Sequence, residues 1–99
     1  MTIDGITCKR RNICGMDLFV YEADHVEVVI AEGDENGRKW ATIYQVECEP
    51  EFRNQGRTQA ILSVLKRNYE ASDYVFGGTV ALNPTMEHIY NKLNIKEYV

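Results

Sequence analysis

The sequence predicts an α/β fold: one mixed, mostly antiparallel sheet with two helices packed on it. Three observations predict it. The first half holds segments that alternate apolar and polar residues, the strand period, around a turn-rich stretch. The second half holds two segments with apolar residues at helical spacing. A short apolar run follows each of them, so the order is strands, helix, strand, helix, strand.

Taken in order, "LFVYE" (18–22) is a short aromatic strand, and "HVEVVIAE" (25–32) alternates with Val26, Val28 and Ile30 on one face. "GDENGRK" carries two glycines, an Asp and an Asn, a composition that permits positive φ in a turn. In "WATIYQVEC" (40–48), strict alternation puts Trp40, Thr42, Tyr44, Val46 and Cys48 on one side. Ala41, Ile43, Gln45 and Glu47 then lie on the other. These strands make an antiparallel meander. A helix over 57–70 has Ala60, Ile61, Val64, Leu65 and Tyr69 on its apolar stripe and Lys66, Arg67 and Glu70 in solvent. A strand spans 74–82. "NPTMEHIYNKL" is a second helix, with Asn83 as cap, Pro84 in the first turn, and Met86, Ile89, Tyr90 and Leu93 inward. A strand over 95–99 closes the order.

The chain of 99 residues is read as one domain, 1–99, with 44% hydrophobic and 26% charged residues. No stretch suits a membrane span, and "MTIDGITCKRRN" lacks the apolar core of a signal peptide. Three cysteines, Cys8, Cys14 and Cys48, form no CxxC pair. With a distant His25 they offer too little for zinc, so no metal is expected. Reduced thiols point to the cytoplasm. A net charge of −4 opposes nucleic-acid binding and suits a cationic partner. "CKRRN" is a small basic cluster of the kind found on a solvated strand rim.

The stretch "EPEFRNQGRTQAILSVLK" hands a strand over to a helix through a loop with Gly56 between Arg53 and Arg57. Amides at a helix start lack partners, the helix dipole is positive there, and a glycine admits close approach. That composition suits a pyrophosphate. It is neither a Walker loop nor a dinucleotide fingerprint, because GxxxxGK[ST] and GxGxxG are both absent.

"VECEPEFRNQGRTQAILSVL" resembles the central motif of the GCN5-related N-acetyltransferases (GNAT), a strand ending in a V-x-P-like step followed by R/Q-x-x-G-x-G/A and an apolar helix. Cys48 stands at the valine position, Pro50 at the proline, and Arg53, Gly56 and Thr58 at loop positions. "NPTMEHIYNKLNI" is similar to that family's N-x6-Y-x3-G-F segment through Asn83 and Tyr90. The chain departs from the pattern at Asn54 and Thr58, where glycines are frequent, and at Asn94-Ile95, which replaces Gly-Phe. The resemblance covers residues 39–99 and implies a GNAT-like sheet. Residues before Trp40 accommodate only strands, whereas the family carries helices after its first strand. A minimal member is therefore expected, its acceptor cleft open, completed by a second subunit as a homodimer, or used on a macromolecule.

The resemblance implies acetyl transfer from acetyl-CoA to an amine, on a protein or a small molecule, by direct attack. It places the pyrophosphate on the amides of Asn54, Gln55, Gly56, Arg57, Thr58 and Gln59, assisted by the charges of Arg53 and Arg57. It places Val46, Cys48 and Asn83 beside the cofactor, with a backbone N–H near Glu47 or Cys48 facing the thioester carbonyl if the strand splays there. Tyr90 becomes the general acid and Glu47 the base for the incoming ammonium. Periodicity alone makes Tyr90 a core aromatic and Glu47 an exposed strand acid. His88, turned about 200° from Tyr90 on the helix, is read as solvated. A second reading keeps the fold as a catalytically inactive protein-binding module, for instance in a small viral or mobile-element protein.

Overall fold

The first four strands run antiparallel and are joined by the shortest turns a hairpin permits. They are β1 (Thr7–Ile13), β2 (Met16–Ala23), β3 (Val26–Glu35) and β4 (Arg38–Cys48). The turns are Cys14–Gly15, Asp24–His25 and Asn36–Gly37, and all six residues have positive φ. This is the primed turn geometry, whose twist matches that of the strands it joins. The computed structural model describes residues 5–79, 81 and 83–97.

After β4 a short 3-10 turn, Pro50–Phe52, leads to α1 (Arg57–Ala71), then β5 (Val75–Gly78), α2 (Pro84–Leu93) and β6 (Lys96–Glu97). The six strands lie in chain order in one sheet, with β5 parallel to β4 and β6 parallel to β5. The expected mixed, mostly antiparallel sheet carrying two helices is the one observed. Residues 80, 82, 98 and 99, included in the expected strands, lie outside the described residues.

Both helices pack on one face. Ile61, Leu62, Leu65 and Tyr69 of α1 and Ile89 and Tyr90 of α2 share a core with Tyr21, Val28, Ile30, Ala41, Ile43 and Phe76. Leu62 takes the inward place expected for Ala60, which is exposed. Asn83 caps α2 as expected, its Oδ1 accepting from the Met86 N–H at 2.9 Å with Pro84 in the first turn. Asn94 ends α2 at φ 59°, the left-handed conformation that glycine supplies in the GNAT pattern. Ile95 then fills the core where that pattern has phenylalanine.

The alternation expected for β4 holds only in halves. Val28 faces Val46 and Val29 faces Gln45, but Ile30 faces Ile43, so Tyr44 is an extra residue. This bulge turns the strand by one position. Ala41 and Ile43 therefore share the helix-covered face with Val46 and Cys48, rather than opposing them. The reverse face carries a smaller apolar layer of Leu18, Val20, Val29 and Ala31, flanked by Met16 and Trp40. β1, with "CKRRN", forms the exposed rim of the sheet.

Candidate active site

The site begins where β4 and β5 part. β5 pairs with β4 only from Trp40 to Ile43, and the last bond runs from the Thr79 N–H to the Ile43 carbonyl at 3.2 Å. β4 continues past its bulge to Cys48, with no strand on that side among the described residues. The Glu49 N–H donates to the His25 carbonyl at 3.1 Å, so by alternation Glu47 also points its backbone groups at β3. Val46 and Cys48 point theirs the other way, into the opening. The Cys48 carbonyl is taken by Arg53 Nε at 3.1 Å. The N–H groups of Val46 and Cys48 are thus aimed into the gap, as donors for a developing oxyanion must be.

Beyond the gap lies the glycine loop. Asn54 has φ 63° and Gly56 φ 73°, so asparagine again stands in the left-handed region where the GNAT pattern has glycine. Gly56 is the N-cap of α1 and supplies no side-chain bond to the helix. The Ala60 N–H reaches the Gly56 carbonyl at 3.0 Å, which closes the first helical turn. The amides of Arg57, Thr58 and Gln59 precede that bond and have no helical acceptor. A Cβ placed on Gly56 meets nothing within 4 Å, so the approach to these amides is open.

A cleft of about 1370 Å³ joins these parts. Its wall gathers Val46, Glu47, Cys48, Arg53, Asn54, Gly56, Arg57, Thr58, Gln59 and Asn83, all expected site residues. Gln55 stands outside the wall, where its Oε1 accepts from Arg57 Nε at 3.0 Å. Tyr90 is also outside it. Its ring is buried against β5, with the hydroxyl over the Cα of Gly78, where an added Cβ would collide with it. Burial, and then the charge of Glu97, raises its pKa above the ordinary tyrosine value, against a smaller opposite effect of a bond to Thr79. The hydroxyl therefore keeps its proton at neutral pH. His88 is exposed, as expected, and borders the cleft. The two side chains do face apart, but on the opposite sides from those expected: His88 lies on the cleft side, and Tyr90 sits one rung below the gap.

Sequence reasoning missed two acids, Glu22 and Glu27, and one aromatic cluster. Glu22 opposes Glu27 and Glu27 opposes Glu47 across β2, β3 and β4, a row of carboxylates on the face away from the helices. All three line the cleft. Gln45 Nε2 donates to Glu47 Oε1 at 2.9 Å. Like charges placed directly opposite weaken a sheet, so this row has a cost. The aromatic cluster is His25 stacked on Phe52, both on the cleft wall. No metal-binding group of His, Cys, Asp or Glu is present among the described residues, and the three cysteines are free. No described helix is long and apolar enough to cross a membrane.

No protein-family model matches the chain, and no curated protein does. Among solved structures it is similar to a possible acetyltransferase from Clostridium difficile 630, at a TM-score of 0.64 and 16% identity over 85% of this chain. The chain spans 60% of the length of that protein. The likeness is one of fold, a six-stranded, mostly antiparallel sheet with two helices.

Proposed function

We infer that the protein is an N-acetyltransferase that moves an acetyl group from acetyl-CoA to a cationic amine. The observation that carries this reading is the parting of β4 from β5 directly beside an uncapped helix mouth. The residues present fit the cofactor. The amides of Arg57, Thr58 and Gln59, opened by Gly56, bind the pyrophosphate, and the gap admits an extended pantetheine arm. Bound acetyl-CoA supplies an activated thioester.

The chain's own groups do the rest. The Val46 and Cys48 N–H groups hold the charge that builds on the carbonyl oxygen. Glu47 takes a proton from the acceptor ammonium, directly or through water. The amine nitrogen then bonds to the carbonyl carbon as the carbon–sulfur bond breaks. Tyr90, protonated at the last rung below the gap and outside the cleft wall, is the acid for the leaving thiolate through a water in the gap. The second proton that the nitrogen sheds on becoming an amide restores it. Glu22 and Glu27, in register with Glu47, favour an acceptor that arrives positively charged. That acceptor is a lysine side chain, a polyamine or another protonated amine.

Titration calorimetry with acetyl-CoA tests the reading. Binding is expected for the native chain and is lost in Gly56→Glu, which puts a carboxylate at the anion mouth. Absence of heat at millimolar cofactor, with Gly56→Glu no different, overturns it. A second reading, a protein-binding module on the same fold, draws support from Tyr90 lying outside the cleft wall. It predicts a protein partner whose binding survives a Gly56→Glu, Tyr90→Phe double substitution.

A further inference from the structure

We propose that the Asp24–His25 turn is a clasp that holds the anion loop in its binding shape, with His25 as a positioning residue for the pyrophosphate site. The inference rests on the acetyl-CoA reading for its ligand and on contacts of the turn for its geometry.

The loop cannot hold itself by burial. None of Pro50, Glu51 and Phe52 in its 3-10 turn is buried, and residues 53–56 are exposed. Two of its residues, Asn54 and Gly56, sit in left-handed conformations. Beyond the bond of Arg53 to the Cys48 carbonyl, it is fixed by the β2–β3 turn, which touches it at both ends. At the entry, the His25 ring stacks on Phe52 with centroids 3.8 Å apart and planes 4° from parallel. His25 Nδ1 also pairs with the Glu49 carboxylate, and its carbonyl takes the Glu49 N–H. At the exit, Arg57 Nη1 donates to the Asp24 carbonyl at 3.4 Å and lies 3.9 Å from the Asp24 carboxylate. The Arg57 guanidinium carbon also stands 4.8 Å from the Phe52 ring centroid, so one aromatic ring receives both His25 and Arg57.

The turn's own sequence supports this role. Of the three hairpin turns, Cys14–Gly15 and Asn36–Gly37 each include a glycine, and Asp24–His25 does not. Both of its residues nevertheless adopt positive φ, 48° and 65°, where L side chains are disfavoured. The two side chains held in that conformation are the ones that reach the loop. A turn selected for pairing alone has an easier solution two strands away.

His25→Gly provides the test, because it relaxes the turn while removing the ring. Native-state hydrogen exchange of amides 53–59 should quicken by about tenfold with the strands of the meander unchanged. Calorimetry should show CoA affinity falling by about tenfold, while pantetheine, which lacks the pyrophosphate, binds as before. His25→Phe, which retains a stacking ring, should restore most of the loop protection. Unchanged exchange across 53–59 in His25→Gly overturns the clasp, as does exchange that quickens equally throughout the sheet. Should the loop loosen while native protein binds no CoA, the clasp stands and the acetyl-CoA reading falls.

Discussion

The Tyr90 hydroxyl rests on Gly78, at the last rung that joins β4 to β5. There is no room for a side chain between them. Gly78→Ala is expected to push the Tyr90 ring off its seat and to destabilise the fold by about 1–3 kcal/mol, the usual cost of overpacking, read by urea denaturation. Tyr90→Phe keeps the ring and loses only the hydroxyl. Under the proposed acid role it should fold normally and lose about 10²–10⁴ in turnover, measured by thiol release from acetyl-CoA.

The acidic row makes a prediction with two opposite signs. Glu27 stands between Glu22 and Glu47 in direct register. Glu27→Gln relieves both like-charge pairs and should stabilise the protein by about 0.2–1 kcal/mol for each. The same change should raise KM for a cationic amine and leave KM for acetyl-CoA alone. A variant that loses both stability and acetyl-CoA affinity would refute the acceptor assignment.

Beneath α1, the hydroxyls of Tyr21 and Tyr69 meet at 2.6 Å, and Tyr69 and Tyr74 both donate to Glu32. Burial first, then these hydrogen bonds and the Glu32 charge, raises the Tyr69 pKa far above its ordinary value. A raised folded pKa contributes stability that is complete below the unfolded value and fades as the pH climbs past it. Unfolding midpoints should therefore drop above about pH 10, where the released tyrosine ionises. Tyr69→Phe should cost about 1–3 kcal/mol at neutral pH, because Glu32 and Tyr21 lose a partner. It should also flatten the alkaline decline.

Asp17 on the β1–β2 hairpin gives the acid counterpart. Asn12 first, and Arg10 at 3.0 Å, hold its carboxyl below the usual carboxylate range. Its stabilising contribution is present above about pH 4 and is lost as acid protonates the folded form. Thermal midpoints of the native chain should fall more steeply below that pH than those of Asp17→Asn. The difference will be small, since the pair is exposed.

How far the sequence could be read follows from where its signals are local. Asn83 and Pro84 announced the start of α2 because capping acts within one turn, and Val26, Val28 and Ile30 announced a covered face because strands alternate. The GNAT resemblance located the loop at Arg53–Thr58 and, through Asn83 and Tyr90, the second helix. Alternation failed at Tyr44, because a bulge leaves no mark in polarity: Tyr44 and Gln45 are both exposed, and only pairing with β3 reveals the extra residue. The row of Glu22, Glu27 and Glu47 was hidden for the same reason, since register joins residues that sequence holds apart. His25 was placed at the start of a strand, because a turn of Asp and His lacks the glycine that marks such turns elsewhere in the chain.

The three two-residue turns also bear on the order in which the molecule assembles. Each brings neighbouring segments together with almost no entropic penalty for ring closure, so the antiparallel half can zip within microseconds of collapse. The parallel rungs between β4 and β5 must wait until the whole of α1 has been laid down between them. The opening beside Ile43 consequently lies on the frontier between the early-forming and late-forming halves of the chain. Under denaturant or mechanical load, the protein should come apart first along that seam, with β5 and β6 leaving while the hairpins persist.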